Sequence, residues 1–391
     1  MNLNLIADRL VKGRIYPALA CHQAVPYTQG WREFGEHWPY TIPFRLQEYC
    51  DYHAVTLNIT DFDSGWPSDA FYPVGLGFFD FDIDYFDLMP ERIRAGLFFD
   101  NVRVLFYYHE GDNPFHIKAR LDKLCAKHNL RKDCYVFVSA NTAAKQLENF
   151  VYFTEIELWY YQRNHSSAPL KIHNQPRERD FTVLNRLHKS WRAMAMADLQ
   201  HLGVLDNSYW SYGESGKLND TDCPIKIGNF ISVAAEKFLK SAPYVSDELD
   251  FDQRNDHSTL VPEYHVNSYC NIVMETHFDA DQSGGTFVTE KTFKPIKHGQ
   301  LFFIAGTAGS LQLLRELGYR VFDDILDNSY DQETDHTQRW LKLSRAICHA
   351  HEHLPELFNN ALPDIEYNQQ LFQTVKTDRL NSLIKDINES R

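Results

Sequence analysis

The chain has no CxxC pair, and its cysteines do not come in an even set. The seven of them, Cys21, Cys50, Cys125, Cys134, Cys223, Cys270 and Cys348, are scattered singly. That excludes a disulfide framework or a cysteine zinc site and reads as a protein of a reducing compartment. A basic excess is missing too: 39 Lys and Arg stand against 53 Asp and Glu, a formal charge of -14. A surface that tracks a phosphate backbone is basic overall or carries a basic stripe. Neither is present, which argues against nucleic acid as the main partner but leaves room for one small phosphate in a local pocket. No apolar run reaches the length of a membrane span, and "MNLNLIADRLVKGRIYPALA" at the start holds no continuous apolar core of a secretory leader. The expectation is a cytoplasmic protein. Internal repeats and low-complexity segments are also lacking.

What is present is a chain of 391 residues, the length of two domains. Hydrophobic residues make up 43% of it, enough for real cores. In residues 1–165, short apolar runs alternate with helical patterns. "YHAVTLNIT" (52–60), "NVRVLFYYHEGDNP" (101–114) and "CYVFVSAN" (134–141) read as strands. "HIKARLDKLCAKHNL" (116–130) has a helical period. Strand, helix and strand in that order make a βαβ unit of a parallel sheet. Residues 166–178 lie in a polar, proline-broken stretch that reads as a linker. A second α/β pattern fills 179–340: strand "DFTVLN" (180–185), helix 188–203 stopped by Gly203, strand "SYCNIVMET" (268–276), helix 310–318 with Ser310 as its N-cap, and strand "YRVF" (319–322). Residues 341–391 are helical in pattern. The expected fold class is therefore α/β, with two Rossmann-like domains facing a cleft, and ligands bound beyond the carboxyl ends of the strands.

One stretch carries chemistry: "TFVTEKTFKPIKHGQLFFIAG" (286–306). Thr289 can cap a helix, Glu290 and Lys291 then fill its first turn, Gly299 ends it, and "LFFIAG" is a buried strand closing on Gly306. A first turn presents free N–H groups and a positive dipole end. Glu is ordinary there and Lys is not, unless an anion is also present. Taken alone, the Glu-Lys dipeptide reads as a solvated ion pair.

The ordered series "NIVMET", a Gly-containing loop, "FVTEKTF" and an apolar strand resembles the α1,3-fucosyltransferase family and related transferases of the GT-B type. Asn271 and Glu275 match one motif of that family, and Phe287, Val288, Thr289, Glu290 and Lys291 match the next. The resemblance implies that Glu290 holds the ribose hydroxyls of a nucleotide sugar and Lys291 its diphosphate. A carboxylate can accept from two vicinal hydroxyls, and an ammonium is a compact charge for phosphate. A weaker upstream echo, "FTVLNRLHKSWR", offers Asn185, Arg186 and Arg192, the last with an equal claim to being a surface helix residue. Thr276 and His277 stand where the family has Asn-Ser, Phe287 stands for Tyr, and the intervening loop is longer. These departures leave the donor sugar and the nucleotide base open.

Glycosyl transfer builds negative charge on a departing diphosphate, so fixed cations belong there. GT-B enzymes supply side chains and a helix N-terminus instead of a metal, and Lys291, Arg192 and Arg186 suit that plan; no cofactor is expected. The Asp-x-Asp strings "DFD" (61–63) and "DFDIDYFD" (80–87) read as turn or strand-face residues, the second alternating like a half-exposed strand. An inverting transfer also needs a base for the acceptor hydroxyl. The candidates follow strands of the N-terminal half: Glu110 first, then Asp112 and His109, then Asp63 and Asp61. The sequence thus points to a metal-independent, inverting transferase moving sugar from a GDP- or UDP-linked donor to a glycan or other hydroxyl. The alternatives are a non-catalytic nucleotide- or carbohydrate-binding protein on the same fold and a nucleic-acid base glycosyltransferase.

Overall fold

The structure is a computed structural model that describes residues 3–7, 9–11, 14–16, 46, 50, 54–62, 65–76, 79–108, 110–158, 175–219, 223–244, 261–374 and 377–390. The chain forms two compact units, one of Met1–Leu158, Ser283–Gly285 and Val375–Arg391, the other of Trp159–Gln282 and Thr286–Thr374. Most of the expected linker lies outside the described residues. The expected C-terminal group of helices divides: its first part belongs to the second unit and residues 375–391 to the first.

The first unit is built on strands β1 (Leu3–Ala7), β4 (Leu57–Asp61), β5 (Phe71–Leu76), β6 (Arg103–Tyr108), β7 (Tyr135–Ser139) and β8 (Phe150–Tyr152), with a small hairpin, β2 (Arg9–Val11) and β3 (Arg14–Tyr16), beside them. The sheet order is β4-β1-β5-β6-β7-β8, and every neighbouring pair is parallel. Parallel strands are covered on both faces, so they read as continuous apolar runs: β5 and β7 are buried at every position. Two helices, Glu91–Phe98 and Pro114–Lys127, follow β5 and β6. The second starts where the side chain of Asn113 accepts from the Phe115 N–H with Pro114 at the first position, a pairing of cap and proline suited to that end. The core is aromatic, with Phe137 stacked on Phe150 at 5.0 Å.

The 80–87 segment is not the half-exposed strand that its alternation predicts. It is a run of turns, because its aspartates satisfy their own backbone. Asp80 accepts from the Asp82 N–H at 2.8 Å, and Asp84 accepts from the N–H groups of Phe86 and Asp87. Ile83, Tyr85 and Phe86 are buried by the turn.

The second unit holds β9 (Arg179–Asn185), β10 (Ser208–Tyr212), β11 (Ser268–Met274) and β12 (Leu301–Ala305), ordered β10-β9-β11-β12 and parallel throughout. Strand order therefore reverses between β9 and β11, the place where open parallel sheets bind ligands. Tyr212 pairs with Asn185 and Met274 with Ala305, while Asn271 lies level with Thr182. The four carboxyl ends accordingly fall on one line. Helix Ser190–His201 follows β9 with nine of its residues buried, from Trp191 to Leu199; its Ala- and Met-rich sequence suits a helix covered all round. Helix Leu354–Gln373 packs on β11, on β12 and on helix Glu290–His298.

Two local expectations give way to partners from elsewhere in the chain. Helix Ser310–Glu316 has Gly309 at its cap position, and the Ser310 hydroxyl donates to the Thr307 carbonyl. Its first N–H groups go instead to the Asp331 carboxylate, from Leu311 at 2.9 Å and Gln312 at 3.0 Å. Residues 319–322 form no strand. The Arg320 backbone is satisfied from both sides by the Asn368 side chain, so it needs no neighbouring strand.

Candidate functional site

Helix Glu290–His298 begins and ends as its sequence dictates. Thr289 is extended and its side chain accepts from the Lys291 N–H; Gly299 closes the helix in the left-handed region at φ 73°. What fixes the start is Glu275, the first residue past β11. Its carboxylate is fully buried and accepts four bonds: from the Thr289 N–H at 2.9 Å, the Thr289 hydroxyl at 2.7 Å, the Thr292 hydroxyl at 2.6 Å and the Thr276 N–H at 3.1 Å. A carboxylate so placed favours the positive end of the helix and ties it to the strand edge. Glu275 is thus committed to the scaffold.

Glu290 and Lys291 sit side by side on the first turn. The Lys291 ammonium donates to Glu290 Oε1 at 3.2 Å and to the Thr289 hydroxyl at 3.1 Å. Glu290 is 9% exposed. Burial by itself would raise its pKa, but the charges of Lys291 and Lys294 and the hydrogen bond from Lys291 outweigh it and hold the carboxyl below its ordinary value. A nearly buried carboxylate kept ionised by two lysines is a stronger feature than the solvated pair that the dipeptide alone would give.

Asn185 ends β9 at the same line. It is 3% exposed, and neither amide atom has a hydrogen-bond partner among the described residues. Such a group costs about 1–3 kcal/mol unless something else satisfies it. Arg186, next to it, is exposed. Arg192 is not a surface residue. Its guanidinium is 3% exposed and donates to the backbone carbonyls of Leu187, Met274 and Glu275, the last at 2.6 Å, and so pins helix Ser190–His201 to the end of β11. Desolvation lowers its pKa. Asn271 lies in mid-strand and donates to Gln300 Oε1, at the amino end of β12, away from this edge.

Beside these residues lies a cavity of about 450 Å³, lined among others by His188, Lys189, Trp191, Lys217, Thr276 and Asp279. One wall is aromatic, Trp191 stacked on Phe278 at 5.0 Å. His188 is locked in place: Nδ1 lies 2.8 Å from the Tyr212 hydroxyl and Nε2 lies 3.0 Å from the Lys217 carbonyl. The carbonyl can only accept, so Nε2 carries a proton, and the Tyr212 hydroxyl is shared between Nδ1 and the Lys189 carbonyl. Lys189 was not singled out from the sequence, although it breaks the same rule as Lys291: a cation ahead of a helix, where Ser, Thr, Asp or Asn is preferred.

The five base candidates from the first unit fare unequally. Glu110 is exposed just beyond β6, and Asp112 accepts from the Tyr108 hydroxyl, which burial and the Asp112 charge drive to a pKa well above the ordinary range. Asp63 and His109 lie outside the described residues, as does the Asp61 side chain. No helix among the described residues is long and apolar enough to cross a membrane.

Fold and site together define a two-unit α/β protein whose second parallel sheet opens, at its strand-order reversal, on a cationic and aromatic cavity. No protein-family model matches the sequence, and no curated protein does. Among solved structures it is similar, over 99% of both chains, to T4 phage BGT in complex with UDP and Mn2+, with a TM-score of 0.36 and 11% identity. It is similar to the same extent to the DNA modifying enzyme beta-glucosyltransferase, solved in the presence and absence of uridine diphosphoglucose, with a TM-score of 0.35 and 11% identity.

Proposed function

We propose that the protein is a GT-B-type glycosyltransferase that moves a sugar from a GDP- or UDP-linked donor to a hydroxyl acceptor, with inversion and without a metal. The observation that carries this reading is the first turn of helix Glu290–His298: an ionised, nearly buried carboxylate beside an ammonium, at the carboxyl edge where the strand order reverses. In this reading Glu290 accepts from the ribose hydroxyls and Lys291 meets the diphosphate, with the helix N-terminus behind it. The Asn185 amide, which has no partner among the described residues, and exposed Arg186 supply further polar groups at that edge. The donor sugar in this reading is a fucosyl or other hexosyl group, left open by the departures at Thr276, His277 and Phe287.

The chemistry needs little more. The acceptor oxygen attacks the anomeric carbon, the bond to the diphosphate breaks, and the charge that develops on the leaving group is met by Lys291. Glu110, Asp112 or Asp63 takes the acceptor proton. Glycans and other hydroxyl compounds are the acceptor class in this reading.

The test is a thermal-shift screen of the purified protein against GDP, UDP, CMP and their sugars. A ligand at a hundred times its Kd adds about 2.7 kcal/mol to stability. Stabilisation by one nucleoside diphosphate and its sugar is expected. Lys291→Ala should weaken binding of the diphosphate roughly 10- to 100-fold and of the bare nucleoside much less, the scale of one charge-assisted contact. A protein unmoved by every nucleotide refutes the reading. Binding without product, tried with glycan, small hydroxyl and DNA acceptors, leaves a binding protein instead of an enzyme.

A further inference from the structure

The sequence offers Arg192 as the second cation for a diphosphate, but both its terminal nitrogens donate to backbone carbonyls and the residue is 3% exposed. Three residues earlier, Lys189 is placed differently. It stands at the cap position of the twelve-residue helix Ser190–His201, lines the cavity of about 450 Å³, and its ammonium has one hydrogen-bond partner among the described residues, the Thr276 carbonyl at 2.6 Å. That carbonyl is neutral and belongs to the loop leaving β11. We infer that Lys189 and Lys291 form a two-lysine clamp on the diphosphate of the ligand. This inference rests on the reading of the second unit as the nucleotide-binding half.

Two independent features of the site support the clamp. First, a series of contacts, from Lys189 to the Thr276 carbonyl, from Thr276 to Glu275, from Glu275 to Thr289 and from Thr289 to Lys291, gathers two lysines of different helices at the end of β11, and among the described residues no carboxylate touches the Lys189 ammonium. Glu290 is the counter-ion of Lys291, while Lys189 has no such contact among the described residues, so a polyanion between the two lysines meets the charge left over. Second, Lys217 and the start of helix Ser190–His201, at Ser190 and Trp191, line the same cavity, and Asp279, the acidic residue in its lining, is paired with His336.

Proton uptake on binding follows from what surrounds Lys189. Burial, first, and then the charges of Arg192 on its own helix and Lys291 on the facing one lower its pKa to about 8, against the opposing charge of Glu275 at the end of β11. His188, Lys217, His277 and Asp279 line the cavity with it. Near pH 8 a good part of the Lys189 population is neutral. A bound diphosphate favours the ammonium, so binding draws a proton from solution, and affinity falls as pH rises through about 8.

The experiment is calorimetric titration of the full chain with GDP, UDP and inorganic pyrophosphate at pH 8, in two buffers of different ionisation enthalpy. The wild type should take up a fraction of a proton per ligand. Lys189→Gln should bind about 10- to 100-fold more weakly and take up none. Lys189→Arg, always charged, should keep most of the affinity while losing both the proton uptake and the loss of affinity above pH 8. A lysine that only supports the fold would show no such split. If GDP or UDP binds the wild type and both variants alike, with unchanged proton uptake, the clamp is refuted while the proposed function stands. If neither nucleotide binds the wild type, the proposed function fails, and the clamp falls with it.

Discussion

At the scale of single residues, the site depends on one side chain that touches no ligand in the proposed mechanism. Glu275 gathers the backbone of Thr289 and Thr276 and the hydroxyls of Thr289 and Thr292 around a fully buried carboxylate. Removing it leaves those donors without a buried acceptor, and each such loss is worth about 1–3 kcal/mol before relaxation. Glu275→Ala should therefore cost roughly 3 kcal/mol in denaturant unfolding, and Glu275→Gln, which keeps one accepting oxygen, less. A Glu275→Ala protein as stable as the wild type would show that the turn stands without it. This role was only half legible. The motif drew attention to Glu275, but not to the difference between a residue that holds a ligand and one that holds the helix, since that depends on where Thr289 and Thr292 point. Arg192 is the same lesson with the sign reversed: a sequence position two helical turns past a strand fits a phosphate contact, and burial turns it into a brace for β11.

At the scale of elements, the strands that the sequence shows are the ones whose apolar runs are uninterrupted. β6, β7, β11 and β12 lie within a few residues of their expected bounds, because a strand covered on both faces leaves a largely hydrophobic trace. β5 left none: Pro73 and Gly75 break its sequence, and a proline argues against an interior strand. It meets β1 at a single registered pair, Leu5 with Phe71, while six pairs join it to β6. Alternation misled at 80–87, where side-chain acceptors made turns. The same segment predicts an acid response. Asp84 accepts from Lys127 at 2.7 Å and lies 2.9 Å from His128. Burial pulls its pKa up, but these hydrogen bonds and the Asp87 N–H outweigh it and bring it to about 2. A folded value below the unfolded one, about 3.9, means the stabilisation is complete above pH ~4 and is lost as pH falls through about 2. With allowance for solvent screening it amounts to roughly 1 kcal/mol. Urea unfolding of wild type and Asp84→Asn should differ by that much at pH 5 and converge near pH 2; a gap that ignores pH would mean the charge is not its source.

At the scale of the whole chain, each unit has its own parallel sheet, yet the chain does not visit them in turn. After the second unit it returns to the first through helix Thr377–Glu389, which packs on β8 and buries Leu380, Leu383, Ile384 and Ile387. Amphipathic spacing shows such a helix in the sequence; which sheet it serves is set by partners far away along the chain. Here the partner is Glu157, whose fully buried carboxylate is ion-paired with Arg379. A buried pair adds little net stability, but breaking one side of it strands a charge and costs about 3–5 kcal/mol. Arg379→Ala should therefore loosen the first unit selectively. Hydrogen exchange should quicken in β6 and β7 and stay unchanged in β11 and β12, and thermal shifts by GDP or UDP should keep their size. The double variant Arg379→Met with Glu157→Gln, which leaves no charge behind, should recover much of the loss. Exchange that quickens equally in both sheets would show that the helix steadies the whole chain and not the sheet it returns to.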